Sequence, residues 1–156
     1  MKSSLKYYIF LITALSLISS CSNDIVNQPG MNETLLFEKT GLVDSAVVYG
    51  CYAYTLRYLI EDTLDLSGFT RLRGEFDGYS TSDYSTISFL YNTIDSSNVE
   101  AYAVSNSSLN GFHSFEFTKS ADMIWFELRL YLNPQICGEN EFKYTRARDL
   151  RIYGIR

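Results

Sequence analysis

The 156-residue chain carries 18 acidic against 13 basic residues, a formal net charge of −5, with a single histidine and three cysteines. That acidic balance argues against generic nucleic-acid binding, which depends on lysine and arginine neutralising phosphates. The length suits one domain with a real hydrophobic core, and two domains would be crowded.

The first segment reads as an export signal: basic Lys2 and Lys6, an apolar stretch from Tyr7 to Ile18, then Ser19, Ser20 and Cys21. A membrane span needs about 20 predominantly apolar residues, so this stretch makes a poor permanent anchor. Ile18, Ser19, Ser20 and Cys21 resemble the lipobox of bacterial lipoproteins, a resemblance that covers only the first 21 residues. It implies a diacylglyceryl group on the Cys21 thiol, removal of residues 1–20 and acylation of the new amino group, typically with palmitate. Several acyl chains hold a protein stably at a membrane where one chain is marginal. The competing reading is an ordinary signal peptide with an incidental cysteine. Ser22 carries no acidic retention signal, so the expected location is the outer membrane of a bacterial cell envelope. Residues 21–32 then form a lipidated tether, polar and turn-prone around Pro29 and Gly30, and residues 33–156 form the folded domain.

Beyond the tether, short alternating runs separated by turn residues predict an all-β fold, an antiparallel jelly-roll-like sandwich of about eight strands. The expected strands are Leu35–Lys39, Ala46–Tyr54, Arg71–Phe76, Ser85–Tyr91, Val99–Val104, Phe112–Phe117, Met123–Leu132 and Leu150–Ile155. Expected turns fall at Asp77-Gly78, Asp95 to Asn98, Asn106 to Ser108 and Asn133-Pro134. A helix over Ser120–Leu132 competes, with Ser120 as its cap and Met123, Phe126 and Leu130 at helical spacing. The strand is preferred, because Phe126, Leu128, Leu130 and Leu132 alternate with Glu127, Arg129 and Tyr131.

With Cys21 lipidated, Cys51 and Cys137 remain, and an oxidising compartment makes a disulfide between them the favoured reading over two buried thiols. No close cysteine pair exists and His113 stands alone, so neither zinc nor any other cofactor is expected. Near the C-terminus, Lys143, Arg146, Arg148, Arg151 and Arg156 outnumber Glu141 and Asp149. These cations are expected to pair with acids elsewhere on the domain, the alternative being a small anion-binding patch.

The run Leu64-Asp65-Leu66-Ser67-Gly68-Phe69, the strand ending Leu128-Arg129-Leu130-Tyr131-Leu132, and the closing Ala147 to Gly154 together resemble galactose-binding-like jelly-roll modules over roughly residues 40–156. An immunoglobulin-like sandwich shares much of this pattern. The resemblance implies binding of glycans, cell surfaces or proteins, often as an accessory domain.

Catalysis finds little support, so the chain is read as a non-enzyme. His113 is the sole candidate base for a nucleophile and is expected in a loop beside a turn. Glu116 and Glu127 are candidates for paired glycosidase carboxylates only if one sheet face carries both. The stretch Asp77 to Asp83 is either a solvated hairpin turn or a calcium loop, and the turn is favoured. A hairpin near Ser120 and Ala121 would bring Glu116 close to Trp125. Parity then sets Trp125, Glu127, Arg129 and Tyr131 in a row away from the core, with Arg151 and Tyr153 nearby on the last strand. Such a mixture suits a glycan, aromatic faces stacking on sugar C–H faces and charged groups bonding hydroxyls. Cross-strand packing of the same side chains is the bland reading. The functional expectation is therefore a membrane-anchored, non-catalytic glycan-binding lipoprotein. Its alternative is a structural or assembly lipoprotein that docks an envelope protein.

Overall fold

A computed structural model describes residues 32–60, 63–92, 99–134 and 141–156; the lipobox with Cys21, most of the tether, the Asp95 to Asn98 turn and Cys137 lie outside these. Nine strands follow in chain order: β1 (Glu33–Tyr49), β2 (Tyr54–Leu59), β3 (Leu64–Asp65), β4 (Arg71–Ser80), β5 (Ser85–Asn92), β6 (Val99–Ser105), β7 (Gly111–Thr118), β8 (Met123–Leu132) and β9 (Phe142–Ile155). A single 3-10 turn, Asn106–Leu109, stands between β6 and β7.

All pairings are antiparallel, in two sheets of order β1-β9-β4-β7 and β2-β8-β5-β6, with β3 added beside β8. The nesting explains the shape. β5 pairs with β6, β4 with β7, β2 with β8 and β1 with β9, so the chain is one long ribbon folded back on itself and rolled until β9 meets β4 and β8 meets β5. That arrangement is a jelly roll.

The strands form where two-residue alternation places apolar side chains between the sheets. In β8, Ile124, Phe126, Leu128, Leu130 and Leu132 are all fully buried. Facing them, Leu72 and Phe76 of β4, Phe115 of β7 and Leu150 and Ile152 of β9 close the core. Phe89 of β5 is its centre, with ring centroids 5.1 Å from Phe115, 5.2 Å from Phe126 and 6.0 Å from Phe117. Tyr102 lies flat against Phe115 at 4.4 Å. Each such ring contributes about 1.5–3 kcal/mol by leaving water.

Several expected boundaries move, each for a physical reason. The two expected strands Leu35–Lys39 and Ala46–Tyr54 merge into β1 up to Tyr49, because Gly41 (φ 76°) and Asp149 (φ 51°) absorb an irregularity between β1 and β9. Asp149 Oδ1 accepts the Gly41 amide at 2.7 Å, and the long strands bend there without parting. Asp77-Gly78 is no turn: both residues continue β4, and a side chain on Gly78 would meet the Leu109 carbonyl at 2.5 Å. The Asp77 to Asp83 stretch is consequently neither the favoured hairpin turn nor a calcium loop, since its first four residues are strand. Instead Ser80 turns inward, and its hydroxyl joins those of Ser85 (2.8 Å) and Thr145 (3.0 Å) in a buried cluster where the chain crosses between sheets.

Lys119 to Asp122 also departs from the expected hairpin. Lys119 Nζ donates to the Leu66 carbonyl at 2.8 Å and to Asp122 Oδ1 at 2.6 Å, and the Leu66 amide bonds the Asp122 carbonyl at 2.7 Å. Held there, the chain carries β7 in one sheet on to β8 in the other. The Leu64 to Phe69 run packs beside this link: Asp65 accepts the Ser67 amide at 2.9 Å, and that bond, followed by the Ser67 hydroxyl, holds the Asp65 carboxyl below the usual carboxylate range. Leu66 is fully buried and the Phe69 ring sits where a side chain on Gly154 would be.

Gly74 of β4 gives a direct test of the core. A β-carbon there would stand 2.3 Å from the Phe115 ring. Gly74→Ala is expected to destabilise the domain by about 1–3 kcal/mol through overpacking, measured as a shift in the chemical-denaturation midpoint. Phe115→Leu in the same chain should recover part of the loss.

Candidate functional site

The outward faces of the two sheets differ in chemistry. On the β1-β9-β4-β7 face, charges interlock: Arg73 bonds both oxygens of Glu33 (3.1 and 2.6 Å), contacts Glu75 and lies over the Tyr153 ring at 4.3 Å. Arg71 pairs with Glu116 at 2.7 Å and Arg151 with Glu38 at 2.7 Å. The C-terminal cations divide between acids and rings. Lys143 meets Glu141 at 2.9 Å, whereas Arg146 stacks on Tyr144 at 3.9 Å and Arg156 lies 5.6 Å from the Phe69 ring centre.

On the other face, β8 presents Trp125, Glu127, Arg129 and Tyr131 away from the core, the parity that its buried alternate residues impose. Trp125 and Arg129 are half-buried and Tyr131 is exposed. Glu127, in contrast, is only 3% exposed. Its Oε1 receives Arg129 through Nε and Nη2, each at 2.8 Å, and Arg57 of β2 through Nε at 3.6 Å. Across the face, Trp125 is opposite Asn92, Glu127 opposite Leu90, Arg129 opposite Ser88 and Tyr131 opposite Thr86, all on β5. Ser88, Leu90 and Asn92 are buried although they point away from the core, so the middle of this face is shielded while its β2 side stands open.

Trp125 also lines a groove of about 370 Å³ with Leu59, Ile60 and Thr63. That volume falls in the range of small-molecule sites, and its mostly apolar lining beside fixed polar groups matches their usual composition. Leu59 reaches the groove because β2 pairs with β8 in the register Leu59 opposite Glu127, and the Ile60 amide continues the ladder to the Phe126 carbonyl at 2.9 Å. Sequence reasoning did not reach Arg57, Leu59 and Thr63. Their segment shows no two-residue alternation strong enough to mark β2 as a strand, and only its pairing with β8 reveals the neighbours.

Other expected neighbours are separated. Glu116 lies on β7, on the opposite outer face from Glu127, so the two carboxylates cannot flank one glycosidic bond. Arg151 and Tyr153 likewise belong to the other sheet, Tyr153 beneath Arg73. His113 is within β7 and not in a loop: Nε2–H donates to the Leu109 carbonyl at 2.9 Å, Nδ1 accepts from the Tyr102 hydroxyl at 3.2 Å, and the ring packs 5.1 Å from Phe76. Cys51 is disulfide-bonded.

Removing the charge of Glu127 leaves Arg57 and Arg129 opposed across strands without their common counter-ion. Glu127→Gln is therefore expected to cost about 1–3 kcal/mol, whereas Glu116→Gln, from an exposed pair, should cost less than about 1 kcal/mol. Parallel denaturation curves of the two variants check the contrast.

No family model matches the sequence, and no curated protein matches it. Among solved structures, a lysine mutant of the family 29 carbohydrate-binding module CBM29-2 complexed with cellulohexaose aligns over 78% of this chain and 89% of its own, at 15% identity and a TM-score of 0.33. An arginine mutant of the same module aligns over 76% and 89%, at 14% identity and a TM-score of 0.32. The jelly roll itself rests on this chain's own strand order.

Proposed function

We propose that the domain is a non-catalytic glycan-binding module held at the outer membrane of a bacterial envelope by acyl chains on Cys21. The observation that carries the binding reading is the half-buried Trp125 on the wall of a 370 Å³ groove, with the charged row of β8 continuing from it along the same sheet face. An indole held at a groove wall offers a face for sugar C–H groups, while Thr63 and the exposed Arg57 supply hydrogen bonds at its margins. Strands β2 and β8 hold Arg57 and Trp125 before a ligand arrives, which limits the ordering cost of binding. The anchor reading rests on Ile18-Ser19-Ser20-Cys21 at the end of the apolar stretch. With Cys21 assigned to lipid, the disulfide of Cys51 is proposed to close on Cys137, the remaining cysteine of the chain.

Trp125→Ala is expected to weaken glycan binding by tenfold or more. Its stability cost should stay below about 2 kcal/mol, under the 3–5 kcal/mol typical of a fully buried aromatic. Affinity and denaturation midpoint measured on the same variant decide the matter: retained affinity contradicts the site, and global unfolding returns the ring to packing. For the anchor, Cys21→Ala should block precursor processing and move the protein out of the detergent phase; unchanged processing and partitioning contradict the lipobox reading.

A further inference from the structure

Resting on the glycan-binding reading of the domain but not on the Trp125 groove, we infer that the outer face of the β1-β9-β4-β7 sheet carries a second, weaker binding surface for neutral glycans. The ion pairs of that face, around Arg73, Arg71 and Arg151, occupy one end of it. At the other end the chemistry changes. Leu72, Phe76 and Ser80 of β4 are buried, so Tyr79 points outward and is 48% exposed. Buried Phe115 sets the same parity for Phe112 of β7, which is 54% exposed, and buried Thr145 and Ala147 set it for Tyr144 and Arg146 of β9.

Register assembles these side chains into a stripe. Phe112 is level with Asp77, Tyr79 with Arg146, and Tyr144 with the exposed Val47, so the apolar position moves along the strands as it crosses from β7 to β1. The Tyr79 and Tyr144 rings stand 5.8 Å apart. With strands about 4.8 Å apart and alternate residues about 6.7 Å along them, the stripe is about 20 Å long, the scale of an oligosaccharide and not of one sugar.

Polar groups are interleaved at fixed places. The Arg146 guanidinium lies on Tyr144 at 3.9 Å and its Nε donates to Ser45 Oγ at 3.3 Å, so the fork is positioned before a ligand arrives. Asp77, the cross-strand partner of Arg148, brings a carboxylate beside Tyr79. Rings stack on sugar C–H faces while guanidinium and carboxylate bond hydroxyls, and charge of both signs suits a neutral chain.

Area decides between a glycan and a protein. Rings of about 150–250 Å², roughly half open, give with Val47 a patch of roughly 400 Å², against the roughly 800 Å² that each partner of a stable protein complex buries. Apolar patches of this size on a monomer are often functional. The stripe lies on an open sheet face, whereas Trp125 shares its groove with Leu59 and Ile60, so the stripe binds the more weakly.

The test uses the mature protein in detergent micelles and three neutral polysaccharides, xyloglucan, glucomannan and xylan. By calorimetry, Trp125→Ala should retain saturable binding to at least one of them, about tenfold or more weaker than the parent chain. Adding Tyr79→Ala should remove that residue of binding, and adding Tyr79→Phe should keep it within about threefold, since the ring remains. Tyr79→Ala alone should leave the Trp125 emission titration unchanged and delete the weaker phase of the parent isotherm, a readout that stands even if Trp125→Ala does not fold. Binding abolished by a folded Trp125→Ala, or a weak phase that survives Tyr79→Ala, overturns the inference and leaves the groove intact. Unchanged glycan binding in Tyr79→Ala together with reduced cross-linking between copies makes this face a protein interface and overturns it as well. If the parent chain binds none of the polysaccharides, the inference and the glycan reading fall together.

Discussion

Everything in this molecule depends on the inward row of β8. Five alternate residues, Ile124 to Leu132, are fully buried between the sheets, and their strand is bonded on one side to β5 and on the other to β2 and β3. A slip of one position would place Trp125, Glu127, Arg129 and Tyr131 in the core, burying two charges, an indole N–H and a hydroxyl against Phe89 and Phe76. The cost of burying unpaired charge makes that register inaccessible. The same constraint that builds the core thus builds the outward row, and the candidate site needs no separate device to orient it.

How the sheets meet decides what that row can be used for. Phe89 bridges to Phe115 and Phe126, and the Phe115 ring lies against the strand only because Gly74 has no side chain. With the two sheets fixed in this way, their outer faces are independent surfaces. One is laced into satisfied pairs, Arg71–Glu116, exposed enough to add little stability, and Arg73–Glu33, largely buried. The other concentrates two arginines on one nearly inaccessible carboxylate, next to an indole and an open groove.

Much of this is legible in the sequence where the signal is local. Met123–Leu132 alternates over ten residues, and both its limits and its parity are as expected, as is the all-β sandwich it helps to build. What escapes is decided by residues far apart in the chain. Gly41 looks like a strand end until Asp149, 108 positions later, accepts its amide. Asp77-Gly78 is a turn signature, and only the Leu109 carbonyl packed on Gly78 shows why it is a strand. Glu116 and Trp125 are nine residues apart with a turn-like link between them, yet Lys119 and Asp122 tie that link to Leu66 and send the next strand to the other sheet. Arg57 and Leu59 carry no local mark of function, and acquire one through their register with β8.

Trp125 is the only tryptophan in the chain, which makes its emission a reporter of this one site. The most direct measurement of the central claim is a fluorescence titration of the mature protein, held in detergent micelles, with a glycan whose binding is established in parallel by calorimetry. Stacking of a sugar on a half-buried indole predicts a saturable change in emission, with a midpoint equal to the calorimetric dissociation constant and reduced quenching by iodide. Calorimetric binding with no change in Trp125 emission or iodide accessibility would place the ligand elsewhere and contradict the account.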